Sequence, residues 1–353
     1  MDVSDLFAAG LIEKDINSDV IWVWSYPTIE DEVREVIMRK CCLSSNDRES
    51  ADSLALIPFT FGHFGRTWYY VHSRATESEE VLQKVTHVAL VLLAKDFNPE
   101  KYETLSGILL HNYMTTGNAS RVAEGFLSVF TRGVCPDPNG EQFQVKAFDI
   151  RKAYIASSIK DVINVFGVET ILIYTALLLK KRIVVFHPDL VPLLRIVRAL
   201  PVLVWQRQNW NIVYPHVEIN DVEVADLKLA APYVAGFTDP AIESHTELYD
   251  VFVNVPGNSI SVAPHAKESF GMGKIHKEIA MQMVQAAGDD ATTEQSLIKE
   301  LAVKTREIIN NLKSFADGTP PRITLELLRT RKMTPAMENF LFNLASAEGL
   351  VQL

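Results

Sequence analysis

The run Phe166–Val217 reads FGVETILIYTALLLKKRIVVFHPDLVPLLRIVRALPVLVWQRQNWNIVYPHV, and its periodicity decides the fold class. From Gly167 to Leu179 the side chains are almost all apolar, the pattern of a helix buried on every side. Only Lys180 and Lys181 separate that helix from Arg182–Phe186, a β-branched stretch expected to be a buried strand. Pro188-Asp189 then opens an amphipathic helix over Asp189–Leu200, and Trp210–Tyr214 reads as a further strand. Helix, strand, helix and strand in that order make an α/β layer arrangement.

Downstream, Tyr249–Val255 and Ser259–Val262 continue the strands. From Met272 the β signals stop, and Ile275–Ala287, Thr293–Phe315, Ile323–Arg331 and Pro335–Glu348 carry helical stripes. Leu297, Leu301, Val303, Ile308 and Leu312 line the longest of them. Upstream the order differs. Val20–Trp24 reads as a strand, and Ile29–Cys41 as a helix with Ile29, Val33, Val36, Ile37 and Cys41 on one face. Its acids come early and its bases late, which suits the helix dipole. Leu54–Phe61 and Thr67–Val71 read as paired strands around a turn at Gly62-His63-Phe64-Gly65. Val85–Leu93 is a buried strand, and Tyr102–Met114 and Arg121–Phe130 are helices, so this part is α+β. The stretch Thr131–Glu141, rich in Pro and Gly with an Asn-Gly pair, is a loop. The expected organisation is an α+β lobe over 1–131, a linker over 132–147, a central α/β lobe over 148–264 and a helical part over 265–353. No repeat of solenoid length is visible.

Composition narrows the function classes. The chain has 353 residues, 48% of them hydrophobic, and a formal net charge of −10, of which −8 falls within residues 1–131. That balance opposes a general nucleic-acid binder or a polybasic membrane binder. Cys41, Cys42 and Cys135 make neither a disulfide framework nor a zinc spacing, which points to a reducing compartment. The opening MDVSDLFAAGLIEKD is acidic where a secretory signal is basic. The longest apolar stretches, Val88–Ala94 and Ile171–Leu179, fall short of the ~20 residues that span a bilayer. The expectation is a cytoplasmic protein whose membrane contact is indirect.

Chemical motifs fail in turn. Gly271-Met272-Gly273-Lys274 resembles the end of a phosphate loop, but Glu268 replaces the leading glycine and Ile275 the magnesium-binding hydroxyl. Neither a G-x-G-x-x-G nor a G-x-S-x-G is present. His63, His72, His87, His111, His187, His216, His245, His265 and His276 include no pair at helical metal-ligand spacing. Glu79-Glu80 and Asp289-Asp290 fit solvated turns better than an acid/base dyad. No catalytic residue, cofactor site or metal site is therefore expected. Lys180-Lys181-Arg182 has two readings: favourable charge at a helix C-terminus, or a contact for an acidic partner.

The central run, followed by Ala231-Pro232-Tyr233-Val234-Ala235-Gly236 and by Tyr249–Val255, resembles the central segment of DENN domains. There a helix ending in leucines and a basic doublet leads into a buried strand, then an x-x-D-L helix start, an aromatic-proline stretch and P-x-h-x-G, where h is apolar. Leu54–Ser73 and Val85–Tyr113 are similar to the family's longin-like lobe, and the tail from Met272 to its helical part. Asn254 stands where many members carry aspartate, and His187-Pro188 where small residues are commoner. The resemblance implies a tripartite DENN module of the smallest, single-module type: longin-like lobe over 1–131, central α/β lobe and C-terminal helical part.

It further implies a guanine nucleotide exchange factor for a Rab-family small GTPase, whose two lobes cradle the GTPase switch regions. Exchange of that kind is differential binding, which favours the nucleotide-free GTPase and by linkage weakens its nucleotide. The expected contacts are groups at the central lobe's strand ends: Lys181, Arg182, Asp189, Trp205 and Asn211. The implied setting is peripheral on late endosomes. The alternative is a non-exchanging DENN-fold adaptor, or a subunit of a multi-subunit endosomal sorting or recycling assembly.

Overall fold

Strand β1, Leu6–Asp15, is the first element of a computed structural model that describes residues 5–43, 56–76, 80–136, 140, 142–149, 152–153, 158–207, 209–318 and 322–351. Two units divide the chain, Met1–Ala156 and Ser157–Leu353. The expected linker 132–147 falls inside the first, and 265–353 shares the second with most of the central segment.

In the first unit β1 is followed by β2 (Val20–Tyr26), helix α1 (Asp31–Lys40), β3 (Phe59–Phe64), β4 (Thr67–Ala75) and β5 (Val85–Ala94). These strands form one antiparallel sheet in the order β2-β1-β5-β4-β3. α1 places Ile37 among Ile12, Val71, Val91 and Leu93 on one face. Helices α2 (Pro99–Thr116) and α3 (Ala119–Arg132) cover the other. There Tyr102 of α2 stacks on Tyr70 of β4, ring centres 4.4 Å apart.

β1 has no strand signal in its sequence, because Ala8, Ala9 and Gly10 are poor strand formers. Its neighbours on both sides supply the hydrogen bonds, and Gly10 leaves the space that the Trp22 ring occupies. The expected turn at Gly62–Gly65 is corrected to Gly65-Arg66, with φ +56° at Gly65. Gly62 and His63 instead continue β3, and Gly62 lies under the Tyr69 ring opposite it. The beginning of the expected strand, Leu54 and Ala55, lies outside the described residues. A two-stranded ribbon, β6 (Val134–Pro136) with β7 (Gln142–Gln144), crosses the stretch read as loop.

The start of α2 rests on a buried charge network. Asn98 caps the helix by accepting the Lys101 N–H, and Pro99 occupies its first turn. Lys101 Nζ lies 3.0 Å from Asp96 Oδ2, with both side chains 4% exposed. Tyr102 donates its hydroxyl to the second Asp96 oxygen. Burial, together with the Asp96 charge, pushes the Tyr102 phenol far up. Tyr70 donates to the Asp96 carbonyl at 2.8 Å and accepts the Asn98 N–H at 3.0 Å.

The second unit opens with α4 (Ile159–Phe166) and α5 (Thr170–Leu178), joined through a 3-10 turn at Gly167–Glu169. Then come β8 (Ile183–Phe186), α6 (Leu190–Ala199), a 3-10 segment Leu200–Arg207, β9 (Val213–Tyr214), α7 (Asp221–Leu229) and β10 (Val234–Phe237). β11 (Val251–Asn254) and β12 (Ser259–Val262) complete a sheet in the order β12-β11-β8-β10-β9. β11, β8, β10 and β9 run parallel, and β12 is antiparallel to β11. α8 (Lys274–Gly288), α9 (Glu294–Lys313), α10 (Leu325–Arg329) and α11 (Pro335–Ala347) follow. The mixed α/β architecture agrees with the class read from the central run. The strand expected over Trp210–Tyr214 is reduced to two residues, because Trp210–Ile212 forms a 3-10 turn capped by Asn209.

α4 escapes a reading that begins at Gly167, and the first three residues of the helix expected over Gly167–Leu179 form a 3-10 turn instead. Taken as one run, Ile159–Leu178 is long and apolar enough to cross a membrane, unlike the shorter uninterrupted stretches. It is 61% buried inside the fold, and the Gly167 φ of +55° breaks it between its two helices. α8 packs on both helices, and Tyr174 meets Thr305 of α9 hydroxyl to hydroxyl at 2.7 Å. Burial pushes the Tyr174 phenol up to about 12. The apolar run is thus core.

Replacing Lys101 by Met leaves the Asp96 carboxylate buried and unpaired, so K101M should lose about 3–5 kcal/mol of stability. Urea unfolding of the purified chain, followed by circular dichroism, measures that loss.

Candidate functional site

Arg182 is the last residue before β8, and Asp250 the last before β11. The two strands are parallel neighbours, so their starts lie side by side. The Arg182 N–H donates to Asp250 Oδ2 at 2.8 Å, and the Asp250 N–H returns to the Arg182 carbonyl at 2.9 Å. The guanidinium adds Nε to Oδ2 at 3.3 Å and Nη2 to Oδ1 at 3.2 Å. Nη1 donates to the Glu247 carbonyl at 2.6 Å, and His265 Nε2 lies 3.0 Å from Asp250 Oδ1. Burial pushes the Asp250 carboxyl up, but the Arg182 hydrogen bonds and charge, with His265, outweigh it and hold it below its ordinary value. Tyr233, just before β10, donates its hydroxyl to the Leu248 carbonyl, and burial pushes its phenol up to about 12.

Beside this cluster, at the same end of the sheet, lies an open cleft. Leu177, Pro201, Val204, Ile212, Pro232 and Tyr233 give it apolar walls. Lys180, Lys181, Arg207 and Asn209 supply its polar lining. Two local features open it. First, α5 ends in a left-handed residue, Lys180 at φ +51°, with Lys181 N–H bonded to the Ala176 carbonyl at 2.8 Å and Lys180 N–H to Leu177 at 3.3 Å. This terminus turns the chain sharply and sets two consecutive lysines on the rim. Second, the 3-10 segment is kinked at Val204 (φ −120°, ψ 52°).

Arg207 fixes the far wall. Its guanidinium donates to the Leu177 and Leu178 carbonyls at 2.7 and 2.8 Å and pairs with Glu348 near the end of α11. The cation at the C-terminus of α5 is therefore Arg207, which no helical spacing in the sequence reveals. Among the described residues, neither Lys180 nor Lys181 has a hydrogen bond or ion pair from its ammonium group.

The five residues expected at the site separate into three places. Lys181 lines the cleft, and Trp205 and Asn211 adjoin its lining residues Val204 and Ile212. Trp205 is half-buried and Asn211 exposed. Arg182 shares this end of the sheet, with its guanidinium engaged by Asp250. Asp189 stands at the opposite end, beyond β8, where its N–H donates to His187 Nδ1 at 2.9 Å. That end carries local turn chemistry: Asn254 Oδ1 accepts the Gly257 N–H at 2.9 Å, and His216 Nε2 lies 3.3 Å from Thr238 Oγ1. Asp250, His265 and Arg207 escape the sequence reading because their partners are 68, 83 and 141 residues away in the chain, as Arg182–Asp250, Arg182–His265 and Arg207–Glu348. No group of three or more His, Cys, Asp or Glu among the described residues is placed to hold a metal ion.

The family model described as Stabilization of polarity axis (SPA) matches residues 156–264, the stretch that carries β8 to β12 and the cleft. The mixed α/β fold and that segment define the class as a DENN-type module. The chain is 47% identical to DENN domain-containing protein 10 of Danio rerio over 99% of its own length and 98% of that protein. It is 43% identical to the Homo sapiens protein of that name, over 100% and 98%, and 38% identical to that of Dictyostelium discoideum, over 96% of each. The chain belongs to the DENN domain-containing protein 10 family.

The Arg182–Asp250 pair gives a test by pH. The folded value of Asp250 is below its ordinary 3.8, so its stabilisation is complete well above that value and is lost as pH falls through the folded one. Asp250→Asn should cost about 2–3 kcal/mol at pH 7. The gap between the variant and the unaltered chain should close in acid, as urea midpoints measured from pH 7 to pH 2.5 will show.

Proposed function

We propose that the chain is a guanine nucleotide exchange factor for a Rab-family small GTPase in late-endosomal trafficking, acting by stabilising the nucleotide-free GTPase. The supporting observation is the relation over 99–100% of the chain to DENN domain-containing protein 10, a member of the DENN-domain proteins, which are in general exchange factors rather than chemical catalysts. The geometry of the second unit is compatible with such a role. At the start of its parallel strands a rigid ion-paired frame adjoins an open cleft with a lysine rim, a surface built to bind. Exchange requires differential binding, and a tenfold coupling corresponds to about 1.4 kcal/mol, so large acceleration needs several contacts. The protein acts in the cytoplasm and reaches the endosome surface through partners, in keeping with its acidic first 131 residues.

A second reading, a non-exchanging adaptor or subunit of an endosomal sorting or recycling assembly, is favoured by α7. Val222 and Leu229, two helical turns apart, are 68% and 88% exposed and offer two apolar contacts to another chain.

Mant-GDP release measured across a panel of Rab GTPases decides between them. The exchange reading expects at least a tenfold faster release for one member or a small group. No acceleration anywhere, with a stoichiometric partner retained through purification, would establish the adaptor.

A further inference from the structure

The cleft beside Arg182 joins two properties in an acidic chain: an apolar floor and, among the described residues, lysine charge with no ion-paired carboxylate. The floor is formed by Leu177, Val204, Ile212, Pro232 and the Tyr233 ring, with Lys180 and Lys181 on the rim. No carboxylate is among its described lining residues, although the chain as a whole carries −10. The third cation, Arg207, is already committed to two carbonyls and Glu348, so it shapes the wall and leaves no fork free for a ligand.

The kind of charge on the rim selects the ligand. A small anion is held by donors fixed in a buried fork or by main-chain N–H groups, and the cleft offers neither beyond the committed Arg207. Two lysines on flexible stems are point charges that steer and orient an incoming surface. An apolar anchor pocket with a charged rim is the anatomy of a protein–protein hot spot.

We propose that this cleft is an anchor pocket for an acidic segment of the protein partner, one aromatic or large aliphatic side chain filling the floor while neighbouring carboxylates meet Lys180 and Lys181. The proposal rests on the exchange-factor reading and assigns this segment to the GTPase. The pocket then contributes affinity through slow dissociation, and the lysines contribute rate of encounter.

The experiment uses the full chain and a GTPase identified by the release panel, immobilised without nucleotide. Association and dissociation are measured by interferometry at three salt concentrations. Lys180→Glu with Lys181→Glu should slow association about tenfold and flatten its salt dependence. Ile212→Asp, which places a carboxylate at the half-buried edge of the floor, should speed dissociation at least tenfold. Lys299→Glu with Lys313→Glu, two exposed positions on α9, makes the same change in net charge and should leave both rates unaltered. Thermal melts check folding, and if Ile212→Asp does not fold the lysine pair decides alone. Unchanged binding by the cleft variants, or equal loss from the α9 control, overturns the pocket while the exchange reading stands. Failure of the unaltered chain to bind or accelerate any GTPase overturns both.

Discussion

The second unit depends on the register between β8 and β11, and the Arg182–Asp250 pair is what fixes it. The two strands are separated by α6, β9, α7 and β10, so chain connectivity alone does not align them. Two hydrogen bonds donated by main-chain N–H groups and two donated by the guanidinium converge on the residues just before the two strands, and the carboxylate is held below its ordinary pKa there. A partly buried charge pair tolerates little displacement, because separation leaves each partner short of both its counter-charge and part of its hydration. The cost of misregister is what makes the pair a specification device as well as a contact. Tyr233, bonded to Leu248, extends the same frame to β10.

The first unit solves a comparable problem with a deeper network. Asp96, Lys101, Tyr102 and Tyr70 tie the end of β5 to the first turn of α2, with the ion pair almost wholly out of water. In both units a carboxylate within two residues of a strand end becomes the junction between elements. Such residues look like solvated termini in a sequence, since burial of Lys and Asp is rare and signals itself only through a partner.

What was legible follows from which forces are local. The helices after Met272 are amphipathic over many turns, and α8, α9 and α11 start and stop within two residues of their expected limits. The buried strand β5 is declared by its own β-branched and leucine content. β1 is silent because Ala8, Ala9 and Gly10 are chosen by neighbours: Gly10 exists for the Trp22 ring, as Gly62 exists for Tyr69. α7 and β10 are short, and α7 is mostly exposed, so neither imposes a period on the sequence. In the candidate site, the basic run after α5 was visible, but its division of labour was not. Arg182 is bound into the frame, Lys180 and Lys181 form no ion pair among the described residues, and the helix end is satisfied by Arg207.

The sequence by itself determined the fold class, the acidic balance of the first 131 residues and the family, because periodicity, composition and the central run are properties of contiguous residues. The tertiary structure alone decided which cations are committed and where a cleft opens. Those outcomes depend on meetings between residues 68 to 141 positions apart, such as Arg182 with Asp250 and Arg207 with Glu348. Electrostatic and desolvation energies act over a few ångströms of space, whatever the distance along the chain, and no local pattern encodes them.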